Sequence, residues 1–395
     1  MLRWRSWLGL ASAAVVMGLV GCATPQSRPR LVKTGDPVVD GWMAITNGPV
    51  EDRVLWQYRT SLELIRRDEF AQAASLLDSA LAMVANRYGA NARARKSRGY
   101  FASESSKTYL GEPYERSMAY IYRGLLYWRS GEIDNARACF RSAQVEDSDT
   151  ENQEYSGDIV LADYLDALGT HRLSGDGFET YQRATNTAKL VVPKPLQEVG
   201  NVLFFVDYGE GPEKFATGQY REKLKFRDGG SDAVEVMLQV AKQGAIHLGP
   251  LDDLSYQATT RGGRVMDYVL ENKAVFKGAT DAVGDVALVS GMVLAQDQKT
   301  RGAGLGLAAV GVLSKLLAEA TTPAADTRTW DNLPKFLAFG SMRLPPGQYQ
   351  LTVQYLNDQR QIIGAKTQSI PITVNAPPRD TVILVSEHDP NASSS

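Results

Sequence analysis

The spacing of apolar residues changes at Gly200, and this change limits the possible folds more than any other feature of the chain. Upstream, residues 54–190 carry apolar side chains at helical spacing. Downstream, apolar residues alternate with polar ones or form short runs, as in strands. Helices followed by strands indicate an α+β fold. Apolar residues make up 44% of the chain and charged residues 22%, so the chain can bury a core.

One segment fits the tetratricopeptide (TPR) pattern, a helix–turn–helix unit of about 34 residues. The matching positions are Gly124, Tyr127, Gly131, Ile133, Ala136, Phe140 and Ala143. Small residues in such a unit let two antiparallel helices approach each other, and the aromatic residues fill the gaps between turns. The sequence therefore predicts a TPR-like helical repeat domain over residues 51–195, an architecture that usually presents a concave surface to a partner protein.

A weaker copy of this pattern precedes it. Its positions are Phe70, Ala73, Leu77 and Ala80, with Asp68 near the turn. Ala73 and Ala136 are 63 residues apart (136 − 73), so about 29 residues are inserted relative to a repeat of about 34. A degenerate third helix pair over 158–168 and 178–190 is expected to cap the stack. The alternative is a set of ordinary helical hairpins, which also show Ala at this spacing.

The C-terminal half is predicted to be rich in strands. The continuous apolar run 202–206 is typical of a buried strand. A strand, a Pro-Pro-Gly turn and a second strand are predicted over 336–356, where apolar and polar residues alternate after the turn. Further strands are predicted over 220–226, 254–260, 370–374 and 381–385. These patterns predict a β-rich, sandwich-like domain over 196–388 with embedded helices, and a disordered tail over 389–395.

Residues 302–320 form an apolar stretch rich in Gly, Ala, Leu and Val. Gly304-Leu305-Gly306 superficially fits a dinucleotide-binding fingerprint, but polar residues 296–301 occupy the place where that motif needs a strand. The uncharged part ends at Lys315, too early to span a bilayer. A buried helix is the favoured interpretation, and contact with a membrane surface is the alternative.

The N-terminus has the parts of a secretory signal: a basic start, an apolar stretch over 7–20 and small residues before a cysteine. The end of this stretch resembles the bacterial lipobox and consists of Leu19, Val20, Gly21 and Cys22. The sequence predicts a signal peptide over 1–21, lipidation of Cys22, and a flexible tether over 22–50 whose Pro and Gly residues disfavour regular structure. An uncleaved anchor and a secreted protein with a chance cysteine are the alternatives.

Lipidation of Cys22 implies a location. Several acyl chains, palmitate among them, hold a protein firmly on a membrane, whereas one chain alone binds marginally. Ala23 follows the cysteine, and the absence of Asp there favours the outer membrane, facing the periplasm, over the inner membrane. The other cysteine, Cys139, then has no partner in the chain, so the fold is expected to be stable without disulfides.

A basic run lies in the insertion between the two TPR-like helix pairs. It contains Arg93, Arg95, Lys96 and Arg98. Together with Tyr114 and Arg116, these are the candidate partner-binding residues, for an acidic protein, lipid headgroups or an anionic wall polymer. The favoured alternative is a solvated helix end or loop, because short charge runs are usually solvated surface.

The search for a catalytic site finds no established motif. The three histidines His171, His247 and His388 are far apart, and no HExxH, CxxC or Gly-x-Ser-x-Gly sequence is present. The acidic pair Asp252-Asp253 is the kind that turns and helix caps use. We therefore expect no enzyme activity, no cofactor and no metal, and the net charge of −2 argues against nucleic-acid binding.

Three segments of the chain coincide, in order, with the motifs of one protein family. They are 109–116 (Y-x-G-x-x-Y-E-R), 209–214 (G-x-x-P-x-K), and 325–334 (A-D-T-R-x-W-x-x-L-P) followed by 344–349 (L-P-P-G-x-Y). These motifs resemble a family of uncharacterised bacterial lipoproteins with TPR-like helices and a β-rich C-terminal part. Within them, Asp326 is expected to orient the chain, Arg328 to pair with a carboxylate and Trp330 to pack beneath it.

The resemblance implies an envelope lipoprotein without an assigned reaction, with members encoded near a lipoprotein activator of peptidoglycan synthesis. We therefore expect a non-catalytic, protein-binding scaffold in envelope or peptidoglycan assembly, with an unidentified envelope protein as partner. A structural lipoprotein that contacts wall glycan directly and an unrecognised envelope enzyme are the alternatives.

Overall fold

The computed structural model describes residues 33–90, 107–148, 157–260, 324–389 and 393–394. They belong to the unit Lys33–Ser395, which has its own core. Its N-terminal part is helical and its C-terminal part contains sheets, so the predicted α+β class is confirmed. The predictions for the signal peptide, for the basic run and for the apolar stretch 302–320 lie outside the described residues.

Helices dominate the first part of the unit. They are α1 Pro37–Asn47, α2 Arg53–Arg66, α3 Phe70–Ala90, α4 Pro113–Arg129, α5 Ile133–Asp147, α6 Val160–Ser174 and α7 Phe178–Thr187. Three-residue connections join α2 to α3, α4 to α5 and α6 to α7, so each pair packs as an antiparallel hairpin. Short 3-10 turns precede α2 at Val50–Asp52 and follow α7 at Leu196–Glu198.

Helix α1 lies inside the segment predicted as a flexible tether, so that prediction is wrong for residues 37–47. Pro37 suits the first turn of a helix, because the N–H that proline lacks has no helical partner there. The Asp36 carboxylate caps α1 by accepting from the Val38 N–H at 2.8 Å. Arg67 pairs with Asp36 at 2.9 Å and so ties α1 to the end of α2.

The α4–α5 hairpin packs most closely at Gly124. A Cβ at this position would lie 2.5 Å from Cε1 of Phe140, so the glycine makes room for the ring. Ala136, Phe140 and Ala143 are fully buried between the helices. In the connection, Gly131 has φ +86°, a left-handed conformation that glycine adopts without strain. The close approach predicted from these small residues is confirmed.

Within the described residues, the strands form two larger sheets and one separate hairpin. They are β1 Val202–Tyr208, β2 Glu213–Thr217, β3 Lys223–Arg227, β4 Glu235–Val240, β5 Gly244–Leu248, β6 Asp252–Asp253, β7 Phe336–Met342, β8 Gly347–Leu356, β9 Gln368–Val374, β10 Thr381–Ser386 and β11 Ser393–Ser394. Sheet 1 has the order β10-β1-β7-β6, and sheet 2 has the order β11-β9-β8-β4-β5. The hairpin consists of β2 and β3.

Strand β1 lies between two cores. It pairs in parallel with β10 and antiparallel with β7. Phe204 and Val206 belong to the core shared with sheet 2, whereas Leu203 and Phe205 belong to the core shared with the helices. Because side chains alternate along a strand, sheet 1 is covered on both faces. The described part of this unit therefore has three layers, in the order helices, sheet 1 and sheet 2.

Residues 254–260, predicted as a strand, are instead mostly helical and form α8 (Leu254–Thr259). The Asp253 side chain accepts from the Ser255 N–H at 2.8 Å and caps this helix. This bond satisfies a backbone N–H in the first turn of the helix, which has no partner within the helix. The cap therefore favours a helix here, although the spacing of the apolar residues is typical of a strand. The capping role expected for the pair Asp252-Asp253 is confirmed here.

The connection Pro345-Pro346-Gly347 joins β7 in sheet 1 to β8 in sheet 2, so these consecutive strands do not pair with each other. At the C-terminus, Ser393–Ser394 pairs with β9 at Ser369 and Gln368. The disordered tail predicted for 389–395 is therefore wrong at these two residues. Without β11, strand β9 would be the edge of sheet 2, and an edge strand offers unpaired backbone groups to which another segment can bond.

Candidate functional site

The three motif segments, far apart in sequence, meet beside the start of α4. Segment 109–116 runs into α4, segment 209–214 leads into β2, and segment 325–330 precedes β7. The side chains that meet are Glu112, Glu115, Lys214, Asp326 and Arg328. We call these five residues the motif cluster.

Glu115 lies at the centre of the motif cluster and is fully buried. Its Oε1 accepts from the backbone N–H of Trp330 at 2.7 Å and from the hydroxyl of Thr329 at 3.1 Å. Its Oε2 accepts from the Lys214 ammonium at 3.0 Å and from the backbone N–H of Glu112. These four bonds use the accepting capacity of the carboxylate, so Glu115 joins α4 to two distant segments.

Lys214 is the buried cation of the motif cluster, with a side chain 2% exposed. Besides Glu115, its Nζ contacts Glu112 Oε1 at 3.3 Å and donates to the carbonyl of Arg328 at 2.9 Å. Three acceptors match the three donors of an ammonium group. Burial lowers the pKa of Lys214, and the neighbouring Glu115 carboxylate offsets this only in part.

Arg328 extends the network to the N-terminal helices. Its guanidinium pairs with Asp52 at 2.7 Å and with Asp326 at 2.6 Å, and it donates to the Lys107 carbonyl at 2.9 Å. The predicted pairing of Arg328 with a carboxylate is therefore confirmed. Trp330 stacks on Tyr58, with ring centroids 4.6 Å apart.

Tyr109 packs against both cations of the motif cluster. Its ring centroid lies 5.6 Å from Lys214 Nζ and 5.6 Å from Arg328 Cζ, within the range of a cation–π contact. Burial, and then the charge of Glu115, hold the pKa of Tyr109 well above its usual range. The phenol therefore stays neutral and adds no further negative charge to the cluster.

Tyr114 and Arg116 do not present a surface to a partner, so this part of the predicted binding site is wrong. Tyr114 is fully buried, and its ring meets Phe226 edge-on at 6.2 Å. Arg116 is 3% exposed and pairs with Glu146 inside the helical layer. The other predicted site residues lie outside the described part of the chain: Leu19, Val20, Gly21, Cys22, Arg93, Arg95, Lys96 and Arg98.

A second polar site surrounds a cavity of about 140 Å³ beside the start of α6. Asp158, Lys189, Asp252 and Tyr256 are among its lining residues. The Asp252 carboxylate accepts from the backbone N–H groups of Val160 (2.9 Å) and Leu161 (2.8 Å) and so caps α6. Burial raises the pKa of Asp252 to about 7.

A lysine of lowered pKa beside two glutamates is a pattern shared by acid–base sites and by structural ion-pair networks. In the motif cluster, Lys214 and Glu115 are removed from solvent, and their hydrogen bonds go to protein groups. This arrangement is typical of a structural ion-pair network, which joins distant segments of the chain. Within the described ranges, no group of three His, Cys, Asp or Glu residues is placed to hold a metal. No helix in these ranges combines the length and apolar character needed to cross a membrane.

Glu112, Glu115 and Lys214 are not among the predicted site residues, although all three lie inside the motifs. A signal existed for Glu115: Glu112-Pro113-Tyr114-Glu115 has the spacing of a capping box with proline at the first helical position. No such sequence signal existed for Lys214, because its partners are distant in sequence. No protein-family model, curated protein or solved structure matches this chain.

Proposed function

We propose that this chain is a lipid-anchored protein of the bacterial cell envelope whose body is a non-catalytic scaffold for another envelope protein, in envelope or peptidoglycan assembly. The observation that carries the proposal is the closed motif cluster. Its charged groups join the helices, the hairpin of β2 and β3, and the segment before β7 to one another. A body held together in this way is a rigid platform, and rigid surfaces lose less entropy when they bind a partner.

The membrane anchor is part of the proposal. Acyl chains on Cys22 would hold the chain on the periplasmic side of the outer membrane, since several acyl chains bind a bilayer firmly.

A TPR-like character of the helical layer is also proposed, and equivalent positions support it. Asp68 and Gly131 lie in the connections of the first two hairpins, and both have positive φ, +61° and +86°. Ala73 and Ala136, which follow them, are both fully buried. Each pair is 63 residues apart (131 − 68 and 136 − 73), and this equal offset supports the proposed repeat.

The helical layer retains apolar side chains in contact with solvent. Val145 on α5 is 68% exposed, and Phe178 at the start of α7 is 62% exposed. We place the partner surface on these helices, since burying such side chains against a partner contributes about 25 cal/mol per Å² of apolar area.

The test is photocrosslinking in living cells. A photoreactive amino acid is introduced at Val145 or Phe178, the protein is purified through a C-terminal tag, and the crosslinked species are identified. Arg360, exposed after β8 and away from the helices in sequence, is the matched control position. Cys22→Ser removes the proposed lipid site, and palmitate incorporation checks that step separately.

Crosslinking of one envelope protein from position 145 or 178, absent from position 360 and lost in Cys22→Ser, would support the proposal. Palmitate labelling that persists in Cys22→Ser would contradict the anchor. A correctly located, normally expressed protein that captures no protein from either helical position would contradict the scaffold.

A further inference from the structure

The hairpin of β2 and β3 has two different faces. Across it, Glu213 pairs with Arg227, Phe215 with Lys225 and Thr217 with Lys223. Because side chains alternate along a strand, these three cross-strand pairs share one face. Burial alternates accordingly along β3, where the residues of this face are exposed and those between them are not. We call Glu213, Phe215, Thr217, Lys223, Lys225 and Arg227 the basic hairpin face.

The opposite face of the hairpin is attached to the body. Lys214 makes its buried ion pair with Glu115 there, and Phe226 packs edge-on against Tyr114 at 6.2 Å. Turning the hairpin over would expose these apolar rings and break a buried ion pair. The basic hairpin face is therefore held outward by the motif cluster.

The charge of this face is opposite in sign to that of the whole chain. Three bases and one acid give a formal charge of +2 (3 − 1), whereas the chain as a whole carries −2. The acid, Glu213, pairs with Arg227 at 2.8 Å, and both side chains are about two-thirds exposed. This acid is already counted in the sum, so a formal charge of +2 remains on the face.

An apolar ring lies among these bases. Phe215 is 36% exposed, and the Arg227 guanidinium lies 5.6 Å from its ring centroid. Bases surrounding an exposed aromatic ring match the boundary of a bilayer, where anionic headgroups adjoin acyl chains.

We propose that the basic hairpin face docks on the anionic phospholipid headgroups of the membrane that carries the chain. This inference rests on the proposed function for the presence of that membrane. Arg328 lies at the base of the hairpin, where its carbonyl binds Lys214, and its guanidinium pairs with Asp52, shortly after α1. The hairpin is thus anchored to the part of the body that directly follows the lipid tether. Docking would give the tethered body one orientation.

Vesicle sedimentation tests the docking without using the lipid anchor. An unlipidated chain that starts at Ala23 keeps the whole unit Lys33–Ser395, which has its own core. Its binding is measured at low salt to vesicles of phosphatidylglycerol mixed with phosphatidylcholine and to vesicles of phosphatidylcholine alone. Lys225→Gln with Arg227→Gln is the test variant. Lys194→Gln with Arg343→Gln removes the same charge at exposed positions elsewhere.

We expect binding to the anionic vesicles, falling as salt is added, and little binding to the neutral ones. The hairpin variant should bind about 30-fold more weakly, since each of the two bases near an anionic surface contributes about fivefold. The control variant should bind like the wild type, and all three proteins should melt alike.

The docking proposal would be overturned by equal binding to both vesicle types, by no binding to either, or by an equal loss in the control variant. Capture of an acidic protein through this face, with no dependence on anionic lipid, would also overturn it. Failure here leaves the palmitate and crosslinking results intact, and failure of those leaves vesicle binding intact, so the two proposals fail separately.

Discussion

At the scale of single residues, the most consequential feature is a lysine without access to water. Lys214 is 2% exposed and donates to Glu115 and to the carbonyl of Arg328. Removing an ion from water is costly, and its partners must compensate for the lost hydration. The stability of the fold is therefore sensitive to any change that removes a partner of this side chain.

We predict that Lys214→Met lowers the free energy of unfolding by about 3–5 kcal/mol, because it leaves Glu115 buried without its cation. Urea denaturation followed by circular dichroism measures the change. The double variant Glu115→Gln, Lys214→Met should cost less than the sum of the two single changes, since both remove the same interaction.

Lys225→Met is the matched control, because Lys225 lies exposed on the same hairpin. Its effect should stay within about 0.5 kcal/mol. If Lys214→Met cost no more than this control, the motif cluster would not be a stabilising element.

A second residue-scale prediction concerns pH. Burial, followed by the charges of Asp158 and Asp163, raises the pKa of Asp252 from 3.8 to about 7. The folded pKa lies above the unfolded one, so the contribution of Asp252 is fully present below pH 3.8 and is lost as pH rises towards 7. The free energy of unfolding of the wild type minus that of Asp252→Asn should fall over this window, by up to about 1.4 kcal/mol per pH unit.

Urea titrations of both proteins at several pH values between 4 and 8 measure this difference. Asparagine retains one of the two oxygens that accept from the Val160 and Leu161 N–H groups, so one of the two capping bonds of α6 can be kept in the variant. The loss of the other bond lowers stability by an amount that does not depend on the titration of Asp252, so the change of the difference with pH is what is measured. A difference that stays constant, or that grows with pH, would mean that Asp252 is ionised throughout.

At the scale of elements, the α4–α5 hairpin depends on one glycine. The Phe140 ring occupies the space that a Cβ at Gly124 would need. We predict that Gly124→Val lowers the free energy of unfolding by about 1–3 kcal/mol, because the buried ring cannot move without disturbing its neighbours. Thermal or urea denaturation measures it.

Ala138→Val places the same side chain on the exposed side of α5 and should change stability by no more than about 0.5 kcal/mol. Combining Gly124→Val with Phe140→Leu should cost less than the two changes added together, since the smaller side chain frees the space. Simple additivity would show that the two positions do not touch in solution.

At the scale of the whole molecule, the helices and sheet 2 pack on opposite faces of sheet 1. Phe205 on β1 meets Tyr122 of α4 edge-on at 5.8 Å, whereas the neighbouring Phe204 faces sheet 2. We predict that Phe205→Ala and Phe204→Ala each lower stability by about 3–5 kcal/mol. Each should also shift the unfolding of helices and sheets together, because one strand belongs to both cores.

Far-ultraviolet circular dichroism at the helical minimum follows the helices in urea, and pulsed hydrogen exchange at the backbone amides of β4 and β8 follows sheet 2. Coincident curves in both variants are the expected outcome of cooperative unfolding. If Phe204→Ala moved only one of the two curves, the layers would be separate folding units.

Local features of this molecule could be predicted from the sequence because neighbouring residues encode them. The apolar run 202–206 specified a strand buried on both faces, and it lies in β1. Gly124 and Phe140 specified a close helix pair, since their spacing places them opposite each other. The strand pattern failed where the Asp253 cap competed with it.

Only the tertiary structure decided how these elements meet. Glu115 and Lys214 are 99 residues apart and Arg328 and Asp52 are 276 apart, so no local spacing announces either pair. Their charges attract at short range only after the three layers bring the segments together. The same packing places Tyr114 inside, where an isolated motif suggested a surface. Burial depends on what the rest of the chain lays over a residue, and the residue's neighbours in sequence do not determine that.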